Sequence, residues 1–179
     1  MQKTDLYTIT IPPMIQALEG LSAVLDKAIS AAEAKKQDWL PFTEHEAALL
    51  NDRLIFDQFS LVRQIQTACD NAKNGTSRIA GIEAPKMEDN EKTFAELKTR
   101  IANTITYLRT IKPEQLVGKE DTTVILPYWP DKKFTGFDYA TRYLVPNFYF
   151  HIVTAYSIIR KNGVEIGKSD FLGSIAADL

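Results

Sequence analysis

The sequence predicts an all-α fold, a four-helix bundle with a small β-hairpin before the last long helix. Apolar residues recur at three- and four-residue spacing over four long stretches, and in one short stretch the period drops to two. Proline, glycine and asparagine punctuate the ends of these stretches, where helices start and stop. With 179 residues, 45% of them hydrophobic, the chain is expected to form one domain over residues 1–179 with a core that needs no covalent staples.

The first helix is expected to open at Pro12 and Pro13, since proline suits a first turn, and to carry Met14, Leu18, Leu21, Leu25, Ala28 and Ala32 on one face. Lys35, Lys36 and Gln37 close it. A linker, Asp38–Trp39–Leu40–Pro41–Phe42, follows, and Thr43 and Glu46, at capping-box spacing, start a short helical turn with His45 in solvent. The second long helix is expected from about Asp57 to Ile79, with Val62, Ile65, Cys69 and Ala72 inward and a polar row of Arg63, Gln66, Asp70 and Lys73 beside them. The connector from Gly81 to Asp89 contains Pro85, which disfavours helix in the residue before it.

The third helix starts near Asn90 or Thr93, with Thr93 and Glu96 repeating the capping-box spacing. It turns Phe94, Leu97, Ile101, Ile105, Leu108 and Ile111 inward until Pro113 stops it. Between Gly118 and Gly136, Thr122, Val124 and Leu126 alternate with Thr123 and Ile125 ahead of Pro127 and Pro130, the pattern of a hairpin. Asp138 is expected to cap the last long helix, Tyr139 to Lys161, which Pro146 kinks or interrupts and Asn162–Gly163 ends. In the tail, Ile166, Phe171 and Leu172 pack back and the last few residues fray.

A net charge of −2, from 21 basic and 23 acidic residues spread along the chain, gives no electrostatic footprint for nucleic acid and no polybasic membrane anchor. Cys69 is the single cysteine. It excludes an internal disulfide, and its apolar neighbours Ile65, Ala68 and Ala72 make it a buried, inert thiol in a reducing compartment. Met1 to Thr10 lacks the basic start and apolar core of a secretory signal, and no run is read as a bilayer span, so the expected location is cytoplasmic.

The chemistry-bearing residues gather around Pro146–Asn147–Phe148–Tyr149–Phe150–His151. His151 falls on the apolar stripe of the last helix with Asn147 one turn before it, so both side chains face one space. Burying an unpartnered imidazole costs about 1–3 kcal/mol, so His151 is either a satisfied core residue or part of a ligand pocket. Asp70 either orients that imidazole across the bundle or belongs to a salt-bridged face with Arg63, Gln66 and Lys73. Tyr143, Tyr149 and Tyr156 are phenol donors or core, and Tyr128, Trp129, Phe134 and Phe137 roof the pocket or cover a bundle end. His45–Glu46 is not the start of a zinc-protease helix, because Leu49 stands where the second histidine is needed. There is no Ser-His-Asp order, glycine-rich loop or Cys-x-x-Cys, so hydrolysis by a nucleophile, nucleotide use and structural zinc have no support.

The segments VRQIQTACDNAK, APKMEDNEKTFAELKTRI and PNFYFHIVTAYSIIRKNGVEIGKSDFLG, with the first helix, cover most of the chain and resemble the DinB/YfiT-like superfamily, and more closely a domain-of-unknown-function family within it. The resemblance implies a four-helix bundle with an unusual crossing and often a homodimer. It also implies a divalent metal held by three histidines, one on the second helix and an H-x-x-x-H pair on the fourth, that activates a thiol for transfer. In this chain the fourth-helix pair is Asn147-x-x-x-His151, and the second-helix position carries Gln64 or Gln66. One imidazole and two carboxamides make a poor nest for zinc or nickel. The expectation is therefore a DinB-like protein with no metal or other cofactor that binds a small polar molecule at His151, Asn147, Gln64, Gln66 and Asp70. The alternative is a metal-dependent transferase or hydrolase with an atypical ligand set. The stretch from Trp39 to His45 is also longer than the resemblance implies.

Overall fold

A computed structural model describes residues 4–173 of the chain; the expected fraying of the last few residues lies outside that range. The first helix, α1, spans Leu6–Lys35 and starts earlier than its prolines suggest. Asp5 caps it, accepting from the Thr8 N–H at 2.8 Å, while the Thr8 hydroxyl accepts from the Asp5 N–H at 3.0 Å. That reciprocal pair nucleates the helix, and Pro12 and Pro13 then lie within it, leaving the Thr8 and Ile9 carbonyls without their usual donors. By length and composition α1 could cross a bilayer, contrary to the reading of the sequence, but its apolar face is buried against the bundle as in any core helix.

A ten-residue helix, α2 (Phe42–Asn51), follows the linker without a side-chain cap. The Thr43–Glu46 box does not form. Glu46 is buried and accepts from the Phe94 N–H at 2.7 Å, so it caps a different helix. His45 is half-buried, and in a solvent-exposed hydrogen bond its Nε2 donates to the Lys35 carbonyl at the end of α1, 3.1 Å away. The next helix, α3 (Leu61–Ala80), begins later than Asp57 because Arg53 and Ser60 pair across a closed loop that takes up the intervening residues. Gly81 ends it in the left-handed region, φ 70°, where only glycine is unstrained.

After an extended connector comes α4 (Phe94–Thr110), capped by the expected Thr93–Glu96 box, with its inward apolar residues buried. Strands β1 (Thr123–Leu126) and β2 (Trp129–Thr135) pair antiparallel, Val124 opposite Phe134, with a bulge between Ile125 and Leu126. Val124 and Leu126 point into the core. The last long helix is entered through a single turn, α5 (Gly136–Asp138), whose cap is Thr135 and not Asp138: the Thr135 hydroxyl accepts from the Asp138 N–H at 3.0 Å. A widened π turn, Tyr139–Leu144, then leads into α6 (Val145–Lys161). The Val145 N–H bonds five residues back to Ala140, and the extra residue makes room for the Pro146 ring just beyond. The short α7 (Lys168–Leu172) lies on α1.

Cross-helix pairs fix the topology. Asp70 meets Arg100 and Ser77 meets Tyr107, so α3 and α4 run parallel. Gln64 meets His151 and Asn71 meets Asn147, so α3 and α6 run antiparallel; Glu19–Arg109 and Asp26–Lys98 set α1 antiparallel to α4. The bundle is thus up-down-down-up, and the connector of residues 82–93 carries the chain back along the bundle between its two parallel helices.

Candidate functional site

The α3–α6 seam holds the candidate site. Towards one end of the seam Gly75 packs under Leu144 of the π turn, whose side chain a Cβ at residue 75 would meet. Further along, two polar pairs bridge the seam. Asn147 Nδ2 donates to Asn71 Oδ1 at 3.2 Å, and His151 Nδ1 lies 2.6 Å from Gln64 Oε1.

The second pair fixes the state of the imidazole. The Phe59 carbonyl can only accept, so Gln64 must give it an N–H, which it does at 3.2 Å. That turns Gln64 Oε1 toward the ring, and Nδ1 must carry the proton. Nε2 is left with its lone pair; among the described residues it makes no hydrogen bond, and although His151 is only 7% exposed, Nε2 is not among the fully enclosed, unpartnered atoms, so it reaches the surface at its edge. Phe59 lies nearly parallel to the imidazole, 12° between planes and 6.3 Å between centroids, and Phe150 meets it edge-on at 5.3 Å. Burial, with the Arg63 charge behind it, holds His151 below the ordinary histidine value, so the ring is neutral at neutral pH.

The structure separates the other expected residues. Gln64, not Gln66, faces His151. Gln66 turns the other way and donates to Glu91 at 2.8 Å. Asp70 does not orient the imidazole; it pairs with Arg100 at 2.9 Å. Arg100 is 3% exposed and also meets Asp89 and Glu91, each at 2.9 Å, while Arg63 pairs with Asp89 and Lys73 donates to the Pro85 carbonyl at 2.6 Å. The polar row of α3 is therefore a structural network that fastens the connector to α3 and α4. A cleft of about 450 Å³ opens beside it, but its charges are committed: Lys86 to Glu88, Arg100 to Glu91, and Glu96 to the N–H groups of Lys92 and Thr93.

The aromatic candidates belong to the packing. Tyr143 shares a hydrogen bond with Tyr128 at 2.7 Å, and with Trp129, Phe134 and Tyr139 it forms a cluster that covers the hairpin end of the bundle. Tyr149 and Tyr156 donate to the carbonyls of Pro13 and Ile166, each at 3.4 Å. Cys69 is fully enclosed, and burial pushes its thiol up to about 12. Asn71 and Phe59 are site residues that the sequence reading missed. Asn71 lies seven residues after Gln64, two turns along the same face, and that spacing is a signal for it.

A sequence profile described as a domain of unknown function, DUF1993, matches residues 6–172. Among solved structures, the fold is similar to the crystal structure of a DinB family member protein from Shewanella denitrificans, with a TM-score of 0.87 and 43% identity over 97% of this chain and 95% of that one. No curated protein matches the sequence. A three-histidine metal site does not fit the residues present here. His151 offers one ring nitrogen, Asn147 is turned to Asn71, Gln64 is held between Phe59 and His151, and among the described residues no three His, Cys, Asp or Glu side chains converge.

Proposed function

The chain belongs to the DUF1993 family and has the fold of a DinB family member, and from that premise we infer that it binds a small polar molecule at His151 in place of a metal ion. One observation carries this reading: the Phe59–Gln64–His151 chain holds the imidazole neutral, with its Nε2 lone pair at the surface. Such a nitrogen accepts a hydrogen bond from an alcohol, amide or thiol and can take a proton from it as a general base. Phe59 and Phe150 supply apolar walls on two sides, and Asn147 and Asn71, one turn along the seam, supply further carboxamide groups. The site comprises His151, Gln64, Asn147, Asn71 and Phe59; Gln66 and Asp70 act outside it.

The test is a thermal-shift titration with glycerol, acetamide and cysteine against the wild type and His151→Phe, which keeps a ring but removes the acceptor. A saturable shift in the wild type that disappears in the variant is expected. Elemental analysis supplies the opposite outcome: one equivalent of zinc, nickel or manganese per chain, lost in His151→Phe, would overturn this reading in favour of a metal-dependent transferase or hydrolase with an atypical ligand set. The same reading includes a homodimer, supported by the exposed apolar residues Phe59 and Phe150 beside the imidazole and Leu54, Ile55 and Phe56 on the loop that carries Phe59.

A further inference from the structure

We propose that Arg78 and Asn74 form a second site, for a small oxyanion such as a carboxylate or phosphate group, in the cleft between the end of α3 and the start of the connector. The cleft measures about 200 Å³ and is lined by Asn74, Ser77, Arg78, Ile82 and Ala84. Arg78 is half-buried and has no ion-pair partner among the described residues, whereas the other cations on α3, Arg63 and Lys73, meet Asp89 and Asp70. Partly desolvated charges are normally matched, so an unmatched guanidinium beside an open cleft points to a counter-ion from outside the chain.

The hydrogen bonding agrees. The Arg78 guanidinium makes one side-chain contact, to the Tyr139 hydroxyl at 3.4 Å, and its remaining N–H groups are not among the enclosed, unpartnered atoms. A guanidinium presents its N–H groups as a planar fork that matches two oxygens of a carboxylate or phosphate. The carbonyl end of α3 attracts the cation, but the Ser77 carbonyl there already accepts from the N–H groups of Gly81 and Ile82. Among the described residues, the Asn74 side chain, which lines the same cleft, makes no hydrogen bond, and the Tyr139 hydroxyl, set beside Arg78 by the π turn, finds no acceptor. Ser77 is taken, bonded to Lys73 and Tyr107. The nearby carboxylates are Asp70, matched by Arg100, and Glu83, which lines the adjoining cleft. Arg78 lies fourteen residues beyond Gln64 on α3, about 21 Å at 1.5 Å per residue, so this site stands or falls apart from the one at His151.

Isothermal titration with sodium phosphate and with sodium acetate, each against sodium chloride at equal ionic strength, tests it. Saturable binding of at least one oxyanion is expected; the comparison of the two arms decides which. Arg78→Gln should weaken that binding at least about tenfold, the loss of charge-assisted hydrogen bonds, and Glu83→Gln should tighten it. Neither oxyanion binding above chloride, or binding kept in Arg78→Gln, overturns the proposal. Should Arg78→Gln fail to fold, nitrogen-resolved NMR of the wild type decides: phosphate or acetate shifts at Arg78 Nε and Asn74 Nδ2 support it, and shifts confined elsewhere defeat it.

Discussion

At His151 a backbone carbonyl two links away sets the chemistry of a side chain. Because the Phe59 carbonyl orients Gln64, and Gln64 orients the imidazole, Gln64→Leu should strand the Nδ1–H and cost about 1–3 kcal/mol of stability, measured by urea unfolding. Gln64→Glu should keep an acceptor and lose less. The same environment gives a pH dependence. His151 is held below its unfolded value of about 6.5, so the unfolded chain binds its proton more readily than the folded one. The histidine's contribution is therefore complete above pH of about 6.5 and is lost as pH falls from there toward the folded value. Urea unfolding at a series of pH values should show that decline in the wild type and a shallower one in His151→Phe. The sequence alone placed an imidazole needing a partner on α6, yet which of two glutamines answers it depends on α3 rotation, and a two-residue shift turns a side chain to the far side of a helix. Cys69 was fully legible, because small apolar residues surround it at helical spacing. Its enclosed, high-pKa thiol should resist a thiol reagent in the native protein and react only on unfolding, and fast reaction of folded protein would contradict the packing described here.

Among the elements, the connector between α3 and α4 depends most on a single residue. Arg100 gathers Asp70, Asp89 and Glu91 and also donates to the Glu88 carbonyl at 3.0 Å, binding three segments at one buried guanidinium. Arg100→Met keeps the volume but leaves the largely buried Glu91 without a counter-charge, while Asp70 and Asp89 keep Lys73 and Arg63, and about 1–3 kcal/mol of destabilisation is expected in urea unfolding. A loss under 1 kcal/mol would mean that the network behaves as a surface pair. The elements themselves were largely legible, since periodicity marks the buried face of a helix wherever that face lies. Their ends were legible only where the cap is local. Thr93 and Glu96 form their box because both partners belong to α4, whereas Glu46, at the same spacing from Thr43, is drawn off to the Phe94 N–H by a helix that follows far along the chain. Proline misled at α1 for a related reason. The Asp5–Thr8 pair starts the helix, and the early turns tolerate the missing donors of Pro12 and Pro13.

For the whole molecule, four amphipathic stretches joined by one long connection already imply a bundle with a crossover, and the up-down-down-up order follows once α3 and α4 are known to run parallel. The candidate site was less legible, because its pairs join residues far apart in sequence, and spacing along the chain carries no information on them. Exposure on the finished surface has the same property. Leu54, Ile55, Phe56 and Phe59 from the loop ahead of α3, and Phe150 and Val153 from α6, are each 43% exposed or more and lie on the two segments that flank the imidazole. Exposed apolar side chains of this kind are unfavourable in water, and a two-fold copy that paired the loop ahead of α3 and Phe150 with their own equivalents would cover them, given an interface on the order of the 1,200–2,000 Å² in total that stable dimers need. Light scattering coupled to size exclusion should then give twice the chain mass. Phe56→Ser with Phe150→Ser should give monomer that keeps its helical circular dichroism, since Phe56 is 86% exposed and neither ring belongs to the core. Monomeric wild type at micromolar concentration, or a dimer indifferent to both substitutions, would remove this patch as the interface. Because Phe59 and Phe150 also wall the imidazole, dimer formation and ligand binding at His151 should be coupled, and a probe that shifts the melting temperature of the wild type should shift that of the monomeric variant less.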